Sequence, residues 1–451
     1  MSNERQYTDL YLQHHESLDK HSCRVLNDRR EEAFEAFVKA GFPNRKVEQY
    51  KYSDMGEWFA PDYGVNVNRI QFPFNPYEAF KCDVPDISKL LYYVVNDSFM
   101  DNPIRKDDAN SQLPEGVIIG SLQKIGKEYP ELIENYYGHL ADVKKDAIVA
   151  LNTMFTQDGL VIYIPQNVQV KQPIQIINLL RSNSDMMANR RVLIIAEANS
   201  TAKILFCDHT MDNVYFMATQ VVEVFAAENA HLQLYELEES NQYTTRVSNT
   251  FIHQDKSSSV FHNAITLESG KTRNAIHVLL DQPGADVRLN GAVIEDKKQM
   301  VDTNTFIDHA AEHCTSNELY KYVLDDQAIG AFAGTVWVRH DAQHTFSDEK
   351  NNNICATKEA RMYTQPQLVI YADDVKCSHG SSVGQVNEDA MFYMEQRGIP
   401  REEARILLMF AFVNQVIDMI ELPTLKERLH ELVEKRFRGE LAKCRSCAIC
   451  K

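Results

Sequence analysis

The chain has 451 residues, 25% of them charged and 44% hydrophobic, with a formal net charge of −17. That composition describes a globular protein with room for two or three domains, and the acidity disfavours general nucleic-acid binding. The charge is uneven: residues 423–451 hold eight Lys/Arg against four Asp/Glu, so an acidic body ends in a basic segment that reads as a local contact or a solvated tail. Met1 to Arg30 is charged throughout and carries no export signal. The most apolar helical run, Ile406 to Val413, is too short to span a membrane. Nine cysteines, scattered except for a cluster at the end, suggest reduced thiols and a cytoplasmic location.

Residues 1–155 read as a helical and mixed region. Asn27 to Gly41 places Phe34, Phe37 and Val38 at helical spacing, and Gly41 and Pro43 follow as a stop. The next stretch, GFPNRKVEQYKYSDM (Gly41 to Met55), is rich in aromatic and basic residues. Ile118 to Leu140 and Asp142 to Thr153 have helical character.

From Gly159 the period changes from 3.6 to 2, and short strands recur over 156–385 between polar turns. The turns align at Ala196, Ala227, Gln254, Asp281, His309, His340 and Ala372, with spacings of 31, 27, 27, 28, 31 and 32 residues. A fixed period of this length is the mark of a stacked β architecture. A propeller blade needs four strands in about 40 residues, so the period favours a β-helix of three short strands per coil. An antiparallel sandwich explains the strands but not their even spacing.

Residues 386–440 turn helical again, with segments Asp389 to Arg397, Glu402 to Ile420 and Thr424 to Arg438. The second is apolar nearly all round, so it is either core or covered by another subunit. Residues 441–451 form a cysteine-rich tail.

No nucleotide-binding loop is present: Ser269-Gly270-Lys271-Thr272 would need a glycine where Ile265 stands. Cys377 and His379 are two residues apart, and on a strand they share a face; a thiolate and an imidazole there suit a borderline metal or cluster iron, though both also fit an ordinary turn. His309, His313 and Cys314 fall in one coil and His340 and His344 in the next, where stacking brings such residues near one another, although solvated turns explain them as well. Cys444, Cys447 and Cys450 have the spacing of three ferredoxin-type ligands without the fourth.

The run YADDVKCSHGSSVGQVNEDAMFYMEQRGIPREEAR, Tyr371 to Arg405, closely resembles the C-terminal part of the SufB/SufD scaffold family of iron–sulfur cluster assembly. Gly41 to Met55, Thr272 to Ala292 and Thr364 to Asp374 are similar to further family segments. The KCSHG histidine is SufD-like, and the G-D-x-C-x-x-x-T segment of the SufB branch is absent. The resemblance implies a mainly β fold, a right-handed parallel β-helix flanked by N- and C-terminal helical regions. It implies a scaffold rather than an enzyme, paired with a SufB-like paralogue and holding a SufC-like ATPase on its C-terminal helices. His379, with Cys377 as a weaker neighbour, would then hold iron or a transient iron–sulfur cluster shared with the partner, while flavin in the complex stays open. Ile406, Met409, Phe410 and Phe412 become ATPase-docking anchors. Edge pairing also allows homodimers of the isolated chain. Rival readings are a β-helix polysaccharide-active enzyme, disfavoured because the adjacent Asp373 and Asp374 point to opposite faces, and a metal-binding or redox protein using the cysteine tail.

Overall fold

The computed structural model describes residues 3–70, 74–79, 89–101 and 113–440. The core is a parallel β-solenoid of two facing sheets, each of ten strands among the described residues. Successive strands alternate between the sheets. Met186–Ala196, Phe216–Ala226, Thr244–Gln254, Lys271–Leu280, Met300–His309, Ile329–Val338 and Arg361–Ile370 follow one another in the first. Thr201–Thr210, His231–Glu239, Ser259–Glu268, Asp286–Glu295, Thr315–Leu324, Phe346–Cys355 and Lys376–Gly384 follow one another in the second. Each coil is therefore two strands of about ten residues, not three short ones as the periodicity suggested. Alternation over a long strand is interrupted wherever both of its faces are covered, and the sequence then mimics a strand break.

The predicted turns all lie on one side of the solenoid, where the first sheet passes to the second. Asn167, Asn199, Asn229, Ser257, His313 and His344 there have positive φ, as does Gly284. Asparagine tolerates this left-handed backbone better than most residues do. The turns stack through backbone bonds, such as Asn199 N to Glu228 O at 2.9 Å and Asn229 N to Lys256 O at 3.0 Å. Asn199 Nδ2 donates to Asn167 Oδ1 at 2.9 Å and Asn229 Nδ2 to Asn199 Oδ1 at 3.2 Å. The same row ends in His313 and His344, whose rings stack at 4.6 Å.

The interior is filled by facing side chains such as Ile204, Leu234, Val260, Ile276, Leu289 and Phe332. The N-terminal helices cover the outside of the first sheet. Helix Ala147–Phe155 is buried at every position and capped by Asp146, whose side chain accepts from Ile148 N and Val149 N. The predicted helix near 27–41 is Arg30–Ala40; Phe37 is buried, but Val38 points to solvent. Ile118 to Leu140 is not one helical segment: it opens with strand Ile118–Ser121 and continues as two short helices. The aromatic-basic stretch docks on the same sheet. Ser53 Oγ donates to Asp302, which also pairs with buried Arg273 at 2.8 Å, and Tyr50 packs under the Arg273 guanidinium.

The C-terminal helices Glu388–Glu395, Arg401–Ile417 and Pro423–Phe437 do not continue the solenoid axis. The last two fold back on the outside of the second sheet, where Val413, Val416, Ile417, Leu425, Leu429 and Leu432 meet Tyr235, Leu237, Ile265 and Ile294. The apolar surface of Arg401–Ile417 is thus largely answered within the chain. Arg436 anchors the last helix through Asp296 at 2.7 Å and Leu267 O at 2.6 Å. Among the described residues this leaves the outer edge of the final coil uncovered, although Tyr52 stacks on Tyr363 at 5.0 Å and Gln365 Nε2 donates to Glu48 at 2.9 Å on its flank.

Candidate functional site

The final coil consists of Arg361–Ile370 in the first sheet and Lys376–Gly384 in the second. Among the described residues each pairs with one neighbour only, Ile329–Val338 and Phe346–Cys355 respectively. Their outer edges therefore present unpaired backbone donors and acceptors, the usual template for another strand. Exposed apolar side chains lie on or beside this end: Tyr363, Ile370, Tyr371 and Val383.

Cys377 and His379 both sit on the last strand and, being two apart, face the same way. In the parallel register Cys377 is beside Ser347 and His379 beside Glu349. Both therefore continue columns that run down the solenoid interior. The first column is Cys377, Ser347 and Ser316, with Ser316 Oγ donating to Ser347 Oγ at 2.8 Å and His309 Nε2 at 2.8 Å from Ser316 Oγ. The second is His379, Glu349 and Glu318. His379 is exposed because no further coil covers it, whereas Cys377 is half-buried against Val336, Val338 and Ala372. Burial pushes the Cys377 thiol up, opposed only by a backbone hydrogen bond at Ser347. Its thiol is held protonated, which makes the imidazole the readier ligand of the two.

The remaining histidines divide. His309 is fully buried, and burial pushes it down to about 4. Cys314 is buried with a raised thiol pKa, again from desolvation. His313 and His344 stack in solvent, and His344 Nδ1 lies 3.0 Å from Asp374. His340 pairs with Asp341 at 3.0 Å. Stacking thus unites His313 with His344 but separates both from His309. Among the described residues, the trio whose ligand atoms converge within 4.8 Å is His253, Asp255 and Asp281, one coil row away on the turn side; the sequence reading did not single it out.

Of the expected docking anchors, Met409 is buried against the chain's own second sheet, while Ile406, Phe410 and Phe412 are half-buried. Phe412 lies over Lys321 Nζ at 4.1 Å and Phe410 meets His430 at 5.8 Å. Met409 therefore offers no free surface. The exposed large apolar side chains of these helices are Phe392, Tyr393 and Leu407, with Met419 in the turn before the last helix; Phe392 and Tyr393 lie within the segment carrying the family likeness. Cys444, Cys447 and Cys450 lie outside the described residues.

A two-sheeted parallel solenoid with helical flanks and an open, histidine-bearing end defines a narrow structural class. Residues 1–176 match the SufBD protein N-terminal region, and residues 179–412 match the SufBD core domain of SUF-system FeS cluster assembly. A SufBD family iron–sulfur cluster assembly protein of Synechocystis sp. is 26% identical over 91% of this chain and 91% of its own length. The iron–sulfur cluster assembly proteins SufD of Escherichia coli and Bacillus subtilis are 31% and 26% identical, covering 47% and 72% of this chain and 50% and 75% of their own lengths. The chain belongs to the SufB/SufD family of iron–sulfur cluster assembly proteins and is SufD-like. No helix among the described residues is long and apolar enough to cross a membrane.

Proposed function

We propose that the chain is a non-catalytic scaffold subunit that builds iron–sulfur clusters at its open end, in the cytoplasm. The observation that carries this reading is the exposed His379 on a strand whose outer edge has no partner. A SufB-like paralogue adds its own strand edge there and supplies the remaining ligands, including a thiolate, to iron or a transient cluster. Cys377, on the same face as His379 but half-buried against Val336, Val338 and Ala372, is the weaker candidate ligand beside it. A SufC-like ATPase docks on the exposed apolar side of the C-terminal helices, around Phe392, Tyr393 and Leu407, and its movement strains the interface to admit iron and sulfur. Any flavin belongs to the assembled complex.

The test is reconstitution of the three-component complex with His379→Ala. Acid-labile sulfide and iron per complex should fall to the background level, while gel-filtration behaviour stays unchanged. A normal cluster yield from the mutant complex sinks the site assignment.

A further inference from the structure

Buried carboxylates inside the solenoid are ion-paired in the middle coils, and this pairing stops before the open end. In the middle, buried Arg190 pairs with Asp208, and Arg246 faces Asp208, Glu236 and Glu238 at 3.5–3.8 Å. His262 Nε2 lies 3.2 Å from Glu236 Oε1. The next apolar rung, Leu289, sits in register between His262 and Glu318 and closes that network. Beyond it come Glu318 and Glu349, 3% and 0% exposed. Among the described residues neither carboxylate has an ion pair, and Glu349 has no hydrogen-bond partner, while Glu318 has only the Thr305 hydroxyl. The hydroxyl of buried Tyr320 also has no partner among the described residues. Tyr320 feels the charge of both Glu318 and Glu349, and the Thr305 hydroxyl hydrogen-bonds Glu318.

The backbone makes room for this arrangement. A Cβ at Gly334, across the interior in the first sheet, would overlap the Glu349 carboxylate. Two carboxyl groups in adjacent rungs of a parallel ladder, with strands about 4.8 Å apart, repel when charged and are costly to bury unpaired. A cation carrying two charges answers both at once, and carboxylate and hydroxyl oxygens are the ligands that such ions prefer. The outward neighbour of Glu349 is the exposed His379, so the pair is one rung behind the mouth.

Resting on the assembly reading above, we propose that Glu318 and Glu349, with Thr305 and Tyr320 beside them, form an interior site for an oxygen-preferring divalent cation such as ferrous or manganous ion. The site holds the ion directly behind His379, so the chain contributes iron to the growing cluster from its own interior.

The experiment is Mn²⁺ binding to the full-length chain, freed of metal with chelator and followed by electron paramagnetic resonance of the unbound ion. Mn²⁺ favours oxygen over thiolate, so the cysteines contribute little to the signal. The wild type binds, and Glu318→Gln and Glu349→Gln each weaken binding by about 10–100-fold, at least the effect of losing a supporting partner. Both substitutions are isosteric, and burial already pushes the Glu318 carboxyl up to about 7 and the Glu349 carboxyl to about 9 in the metal-free chain, so thermal midpoints hold or rise. Gly334→Ala, which displaces Glu349 without touching a carboxylate, weakens binding in the same way. No binding at millimolar Mn²⁺, or wild-type affinity in the Gln variants, overturns the proposal. So does a loss confined to Asp281→Asn, which would locate the ion at the surface trio. Cluster formation surviving His379→Ala sinks the His379 site assignment above instead, so the two failures are distinguishable.

Discussion

At the scale of single residues, His309 shows how little a residue type says without its surroundings. It reads in sequence like His313, four positions on, yet it is sealed inside the solenoid with Ser316 while His313 is in water. Burial lowers the folded pKa of His309 from 6.5 to about 4. Between those values the unfolded chain binds a proton that the folded chain does not, so this stability is complete above 6.5 and is lost as pH falls towards 4. At about 1.4 kcal/mol per pKa unit the full effect is on the order of 3 kcal/mol. The destabilisation caused by His309→Gln, measured by urea unfolding, should therefore shrink by up to that amount between neutral and acid pH; a pH-independent difference would contradict a buried neutral imidazole. Cys377 and His379 were both legible as a pair, because a spacing of two puts them on one face. Their inequality came from the family likeness and not from the spacing; its physical cause is tertiary, since Val336 from the neighbouring coil and Ala372 from the preceding turn pack with Cys377.

At the scale of elements, the row of turns and the C-terminal helices carry different kinds of stability. Asn229 combines left-handed backbone with a side-chain bond to Asn199. Asn229→Ala should cost about 1–2 kcal/mol from the backbone alone, and Asn229→Gly clearly less; equal losses would assign the effect to the amide bond instead. The helices depend on apolar burial. Leu429 is 1% exposed against the second sheet, so Leu429→Ala should cost roughly 2–5 kcal/mol. Limited proteolysis should then release the C-terminal helices before the solenoid, and protection equal to wild type would mean that they are held by Arg436 and its partners. The period and turn positions were legible because each coil repeats the same demand on the backbone. The number of strands per coil was not, because long strands buried on both faces lose their alternation.

At the scale of the whole molecule, the helices cover the flanks of the solenoid and the proposed assembly surface is its uncovered end. The N-terminal helices wrap the first sheet, the C-terminal helices wrap the second, and the last coil is left open. Val383 lies on that open strand and is about half exposed. Val383→Lys should leave the chain's own unfolding within about 0.5 kcal/mol of wild type, as surface changes usually do, but should reduce recovery of the paralogue in affinity purification, since an edge lysine discourages strand pairing. Undiminished recovery would move the interface away from this edge. The acidic body also repels its own copies, which favours a partner with complementary charge over self-pairing.

The amino-acid order alone determined the coil period, the stacked turns, the helical flanks and the likeness that points to His379, because each is a local pattern repeated or retained along the chain. Only the tertiary structure decided which residues share the interior. Glu318, Glu349 and His379 lie in successive coils and carry no common local signature, yet parallel in-register pairing sets them in one column. The same is true of the uncovered end: nothing local in helix Arg401–Ile417 says that it folds back along the sheet. That follows from the apolar surface of the middle coils, which gains more from covering Met409, Val413 and Ile417 than the edge of the last coil could offer.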